Sequence, residues 1–260
     1  MSFQPVVLGS GLGAWNFVKR TLAHQKNMHA TTPSLTRDIA FFAKSHRDFF
    51  TADALTSHPQ ALRVVLGAYG LSEDTDHQFL IRKIMSDGTG EGALATKLSD
   101  RRYRELASDI DYSQDVAWFD RNPQLASRII DGYRDDSFEA AIGEVDENIR
   151  LALNFDRKIG DIGLGASGTA TAWFQILGTP PLRLVMEKAL GLPKEFANLD
   201  IDDQHSRIRD KAKSVLGTDD VAAIASDEVR DKIIDKFILA QQVSNFGHQS
   251  SLQTALILLS

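Results

Sequence analysis

Pro59-Gln60-Ala61-Leu62-Arg63-Val64-Val65-Leu66-Gly67-Ala68-Tyr69-Gly70-Leu71 is the stretch on which the fold turns. Leu62, Val65, Leu66 and Tyr69 fall at i, i+3, i+4 and i+7, the spacing that gathers apolar side chains on one face of a helix. Pro59 suits a first turn, where its missing N–H would have no intrahelical partner. Gly70 suits a helix end, where glycine takes the left-handed conformation without steric cost. The stretch therefore predicts one helix over residues 59–69.

The same punctuation recurs on both sides. Thr32-Pro33, Asn122-Pro123 and Thr179-Pro180 pair a capping residue with proline, and Gly191 and Gly217 sit at helix ends. Ile208, Ala212, Val215 and Leu216 form another stripe, as do Val229, Ile233, Phe237 and Ala240. Alternating runs of strand length are missing. The best strand candidate, Pro5 to Leu8, has no obvious partner. Helices are predicted over 14–27, 34–48, 59–69, 75–86, 91–107, 123–142, 145–158, 169–177, 181–190, 203–216 and 226–243. The breaks are short enough for consecutive helices to pack as antiparallel neighbours. The expected fold class is all-α, a single domain built as an array or bundle of about ten helices.

An internal echo adds detail. Leu62 to Leu71 compares with Leu182 to Leu192, each following a proline (Pro59, Pro181) and ending in Gly-Leu. Two similar helical halves, 14–158 and 169–243, would account for it, with a flexible join near Gly160–Gly168 and terminal arms at 1–13 and 247–260.

Composition narrows the function. The 260 residues include no cysteine, which excludes disulfides, thiolate metal sites and cysteine nucleophiles. A net charge of -6 argues against nucleic acid as a partner. Its acidity lies in the second half, since residues 1–130 carry 15 Lys+Arg against 14 Asp+Glu and the remainder carry 14 against 21. No apolar run approaches the roughly 18 residues that span a bilayer. Lys19 and Arg20 follow the first apolar stretch instead of preceding it, so no secretory signal peptide is expected.

Two glycine motifs invite a nucleotide reading. Gly9-Ser10-Gly11-Leu12-Gly13-Ala14 fits the dinucleotide fingerprint, but no second strand ends in an acid about 20 residues on. Gly163-Leu164-Gly165-Ala166-Ser167-Gly168 fits by letter, yet Lys158 to Ile162 is no buried strand, and a hinge is the better reading. Asn198, Asp200 and Asp202 alternate like the start of a calcium loop, but Asp203 and Arg209 stand where glycine and glutamate belong. None of the seven histidines forms a metal pair at i, i+4 with an intervening Glu. No catalytic, cofactor or metal residue is assigned. The apolar ends of the chain attract attention instead. Phe3, Trp15, Phe246, Leu252, Leu256 and Leu259 are the candidate partner-binding residues, with Gly247 to Ser251 as a joint before the last segment.

Several strings resemble an uncharacterised family encoded within bacterial flagellar gene clusters. They are Met1 to Val7 with Gly11-Leu12-Gly13-Ala14-Trp15, Leu62-Arg63-Val64 through Leu71, Phe79 to Ile84, Ala93 to Tyr103, Ser137-Phe138-Glu139 and Asn148 to Phe155. The resemblance covers most of the chain. It implies an association with flagellar assembly or structure and carries over no catalytic residue. The expected protein is non-enzymatic and works with flagellar proteins, in the cytoplasm or at the flagellum, with a homo-oligomer allowed. The alternatives are a cytoplasmic chaperone or adaptor for an exported flagellar subunit and, more remotely, a nucleotide-dependent enzyme using a glycine-rich loop.

Overall fold

The computed structural model describes the backbone of residues 3–165 and 168–259, and side chains up to residue 244. Among the described residues there are fifteen α-helices and no strand, so the protein is an all-α array. Its contacts sort into two compact units. Residues 1–6 and 21–141 make the first, and residues 7–20 and 142–260 make the second.

The first unit takes the latter part of α1 (Gly11–Ala30) and α2 (Pro33–Ser45), α3 (Ala52–Thr56), α4 (Pro59–Ala68), α5 (Gln78–Asp87), α6 (Leu94–Lys97), α7 (Arg101–Asp109), α8 (Trp118–Arg121) and most of α9 (Leu125–Gly143). Its core gathers Leu35, Phe42, Phe49, Leu55, Leu66 and Trp118, all essentially buried. Each such side chain contributes about 1.5–3 kcal/mol on leaving water. Helix α4 is the centre of this core, and its buried residues include Leu62, Val65 and Leu66 of the predicted stripe.

The second unit takes the start of α1, together with α10 (Glu147–Gly165), α11 (Thr169–Leu177), α12 (Pro180–Ala189), α13 (Ile201–Leu216), α14 (Val221–Ile224) and α15 (Asp227–Leu259). Trp15, Phe155, Trp173, Ile233 and Phe237 are buried here. The Trp173 indole N–H donates to the carbonyl of Asp219 at 2.8 Å, so its polar atom is satisfied inside the core.

Predicted and observed helices differ where local chemistry and packing decide. The helix expected over 91–107 is interrupted because Asp100 caps a new one, its carboxylate accepting the Arg102 N–H at 3.0 Å. Three short helices escape the periodicity; Thr51 and Asp220 cap two of them through side-chain oxygens. The glycine-rich stretch is no hinge as far as Gly165, because α10 runs through Gly160 and Gly163. A Cβ on Gly163 would sit 2.6 Å from the Ala225 Cβ and 3.3 Å from the Val221 carbonyl. That glycine lets two helices touch. The units meet in sequence between Ala141 and Ile142, upstream of that stretch, and again between Arg20 and Thr21. The last helix continues to Leu259 through the joint expected at Gly247 to Ser251. A single glycine costs a helix only about 1 kcal/mol.

The echo has a local structural basis. Helices α4 and α12 both start on a proline. Both end with a left-handed glycine, at φ +69° for Gly70 and +64° for Gly191. The Leu71 N–H then reaches back to the Leu66 carbonyl at 2.8 Å, and that of Leu192 to Glu187 at 2.9 Å. Each is a Schellman closure. No helix among the described residues is long and apolar enough to cross a membrane.

Candidate functional site

The first unit holds a cleft of about 590 Å³, walled by the start of α4, the Ser72–Gln78 turn and one face of α9. Small residues allow the walls to approach. A Cβ on Gly67 would lie 2.6 Å from the Tyr133 ring, and one on Gly132 would lie 3.0 Å from the Ala68 carbonyl. The Gly70 closure then turns the chain so that Ser72 donates its hydroxyl to Asp136 at 2.6 Å. Arg102 secures that turn by donating to the Gly70 carbonyl while its Nε and Nη2 grip Asp100 at 3.0 and 2.7 Å.

Behind the wall lies a buried carboxylate. Asp38 accepts from Tyr133 Oη at 3.0 Å and Gln60 Nε2 at 2.9 Å, with Arg63 Nη1 at 3.4 Å. Three partners offset its desolvation. Burial, followed by the adjacent Asp38 charge, pushes the Tyr133 phenol well above its ordinary range. Asp38 thereby ties α2, α4 and α9 together and holds one corner of the Arg63 guanidinium.

A hydroxyl and an imidazole also meet at the cleft. Ser137, in its lining, lies with Oγ 2.9 Å from His29 Nε2. Desolvation lowers the His29 pKa, which keeps the ring neutral around pH 7. Thr32 fastens the end of this helix by donating its hydroxyl back to the His29 carbonyl; it stands at the N-cap position of α2 with Pro33 in the first turn, as the pattern predicts, but its side chain makes no capping bond to that helix. The pair resembles the nucleophile and base of a serine hydrolase. Among the described residues it lacks the third member, because His29 Nδ1 is buried without a hydrogen-bond partner to fix the tautomer. What the cleft presents openly is charge: Arg63, half-exposed on α4, and Asp76, exposed on the turn.

Two of the residues predicted to face a partner, Phe3 and Trp15, have described side chains. Trp15 is 0% exposed, flanked by the equally buried Ala14 and Val18, with Lys19 Nζ 5.4 Å from its ring. It is a core residue of the second unit and not available to a partner. Phe3 is half-buried. Its segment is fastened to α1 by Gln25, whose amide accepts from the Val6 N–H at 2.7 Å and donates to the Val6 carbonyl at 3.0 Å. The side chains of Phe246, Leu252, Leu256 and Leu259 lie outside the described residues.

The motif glycines have structural uses. Gly11 of the first motif approaches α15 so closely that a Cβ would overlap Gln242 Nε2 at 1.8 Å. Asp200 caps α13, accepting from the Asp202 and Asp203 N–H groups at 3.1 and 2.9 Å. Sequence reasoning missed the cleft residues. Arg63 lies within the deciding stretch, but nothing in its spacing points to Asp76 or Ser137.

The molecule is an all-α helical array with a polar cleft in its first unit. It belongs to the DUF1217 family of proteins of unknown function, whose pattern matches residues 68–225. A crystal structure of a protein from Agrobacterium tumefaciens is similar, with a TM-score of 0.72, covering 94% of this chain and 99% of that one. The two sequences are 22% identical, so the likeness speaks to fold. No curated protein matches the chain.

Proposed function

We propose that this protein is a non-enzymatic interaction protein that works with flagellar components. The observation that carries the reading is the resemblance spread from Met1 to Phe155 to a family encoded in flagellar gene clusters. Exposed apolar side chains agree with a binding role, notably Phe50 at 65% and Phe79 at 76% on the first unit. The incomplete His29–Ser137 pair agrees with binding more than with acyl transfer.

Deletion of the gene is the test. Reduced swimming or flagellar number, restored by the wild-type gene, supports the reading; unchanged swimming and unchanged flagella refute it. An adaptor for an exported flagellar subunit is the second reading. It is favoured by Leu239 and Val243, one turn apart on α15 and 46% and 72% exposed. An adaptor is recovered in a complex with its subunit, whereas a structural accessory co-purifies with basal bodies.

A further inference from the structure

We propose that the cleft in the first unit binds a small zwitterion, a free amino acid or short peptide, with Arg63 taking the carboxylate and Asp76 the ammonium. The site stands apart from the flagellar reading and does not depend on it.

Arg63 and Asp76 line the same cleft on different elements, α4 and the turn before α5. Opposite charges in one cleft normally pair, yet these two make no ion pair with each other. Among the described residues Arg63 makes one ion pair, with Asp38 through Nη1 at 3.4 Å, and its Nε and Nη2 make no hydrogen bond. A guanidinium with open donors on its fork is suited to a carboxylate, which it can take bidentately. Among the described residues Asp76 has no ion pair or side-chain hydrogen bond, and its exposed carboxylate is an acceptor suited to an ammonium.

The charge balance selects among ligands. Asp38 already offsets Arg63, and Asp76 and Asp136 add two more carboxylates along the lining. A dianion would be repelled, and a bare cation would leave the Arg63 donors unused. A ligand bearing both charges satisfies both residues. Thr75 and Gln78 bring additional hydrogen-bonding groups, and Leu62 and Ala140 bring apolar surface for a side chain or ligand backbone. The volume of about 590 Å³ lies within the range of small-molecule pockets. It leaves room for more than one amino-acid residue.

The full chain is screened by thermal shift, with calorimetry on the hits. The probes are the proteinogenic L-amino acids, glycylglycine and triglycine, each at about 10 mM, where ligands of millimolar affinity still raise native stability. N-acetylated and C-amidated forms of each hit remove one charge at a time. The expected result is a hit whose acetylated and amidated forms bind at least tenfold more weakly. Arg63→Gln and Asp76→Asn should each weaken it by about ten- to a hundredfold, the loss typical of one charge-assisted hydrogen-bonding partner. Asp76 is exposed, so Asp76→Asn should melt close to wild type without ligand; Arg63→Gln removes a charged partner of the buried Asp38 and should melt lower, so its affinity is read well below its own melting midpoint. Three results overturn the proposal: no probe binds, blocked forms bind as well as free ones, or both variants retain full affinity.

Discussion

Replacing Gly67 with alanine sets a methyl carbon 2.6 Å from Tyr133 Cδ2, 3.1 Å from Cε2 and 3.3 Å from Asp136 Oδ2. The ring cannot simply swing away. Tyr133 is 7% exposed, and its hydroxyl is held by Asp38 at 3.0 Å. Overpacking of this kind costs about 1–3 kcal/mol. Displacing the ring also breaks a hydrogen bond to a charged group, worth about 1.5–3 kcal/mol. Alanine improves helix propensity by about 1 kcal/mol, which offsets only part of the loss. The expected net effect is about 3 kcal/mol of destabilisation, set by these two costs and that gain. At about 2–4 °C per kcal/mol, the melting midpoint falls by about 6–12 °C.

A double-mutant cycle in urea separates these contributions. Tyr133→Phe alone should cost about 2 kcal/mol through the lost hydrogen bond. In the Gly67→Ala chain the same change should cost below about 0.5 kcal/mol, because the bond is already broken. Additive losses would mean that the ring stays on Asp38 and the methyl is accommodated elsewhere. A neutral Gly67→Ala would refute the close approach of α4 and α9 altogether.

Three further outcomes follow from the same physics. Gly163→Ala should destabilise the second unit by about 1–2 kcal/mol, and Ala225→Gly in the same chain should restore most of it; urea unfolding that shows no loss, or no rescue, contradicts the α10–α14 contact. All four tyrosines, Tyr69, Tyr103, Tyr112 and Tyr133, have phenol pKa values raised chiefly by burial, Tyr103 to about 12. Their neutral forms favour the fold, so that contribution is complete below the unfolded pKa of about 10 and is lost as pH rises toward the folded values. Ultraviolet titration should find much less phenolate in native than in urea-unfolded protein above pH ~10, and superimposed curves would contradict this. His29 is the reverse case, a base whose folded pKa is lowered by burial. Its contribution is complete above the unfolded pKa of about 6.5 and is lost as pH falls below it. His29→Gln should flatten the acid limb of the stability curve, and an unchanged limb would count against a neutral buried His29.

Local features were legible and convergent ones were not. Leu62, Val65 and Leu66 announce α4 because helical periodicity is a property of neighbours in sequence. The predicted span 169–177 coincides with α11, bounded by Gly168 and Gly178. Gly163 reads as a hinge from sequence because the reason for it is Ala225, a residue brought close only by folding. Trp15 reads from sequence as a partner-binding candidate because its burial in the second unit, with residues 142–260, is set only by folding. The same limit hid the cleft. Arg63, Asp76 and Ser137 belong to three separate elements, and only the folded chain joins Asp38, Tyr133 and Gln60 behind them.

The division of α1 has a consequence during synthesis. Residues 7–20 belong with residues 142–260, while 21–141 form the intervening unit. Gly11 awaits Gln242, and Lys19 awaits Asp231, its ion-pair partner at 3.0 Å. At an elongation rate of about 5–20 residues per second, the ribosome spends roughly 10 s on the intervening unit alone. Throughout that time Trp15 and Val18 are outside or near the tunnel with their eventual neighbours still untranslated. Apolar side chains made before the intervening unit are thus covered only after it, an interval long enough for a chaperone to bind them.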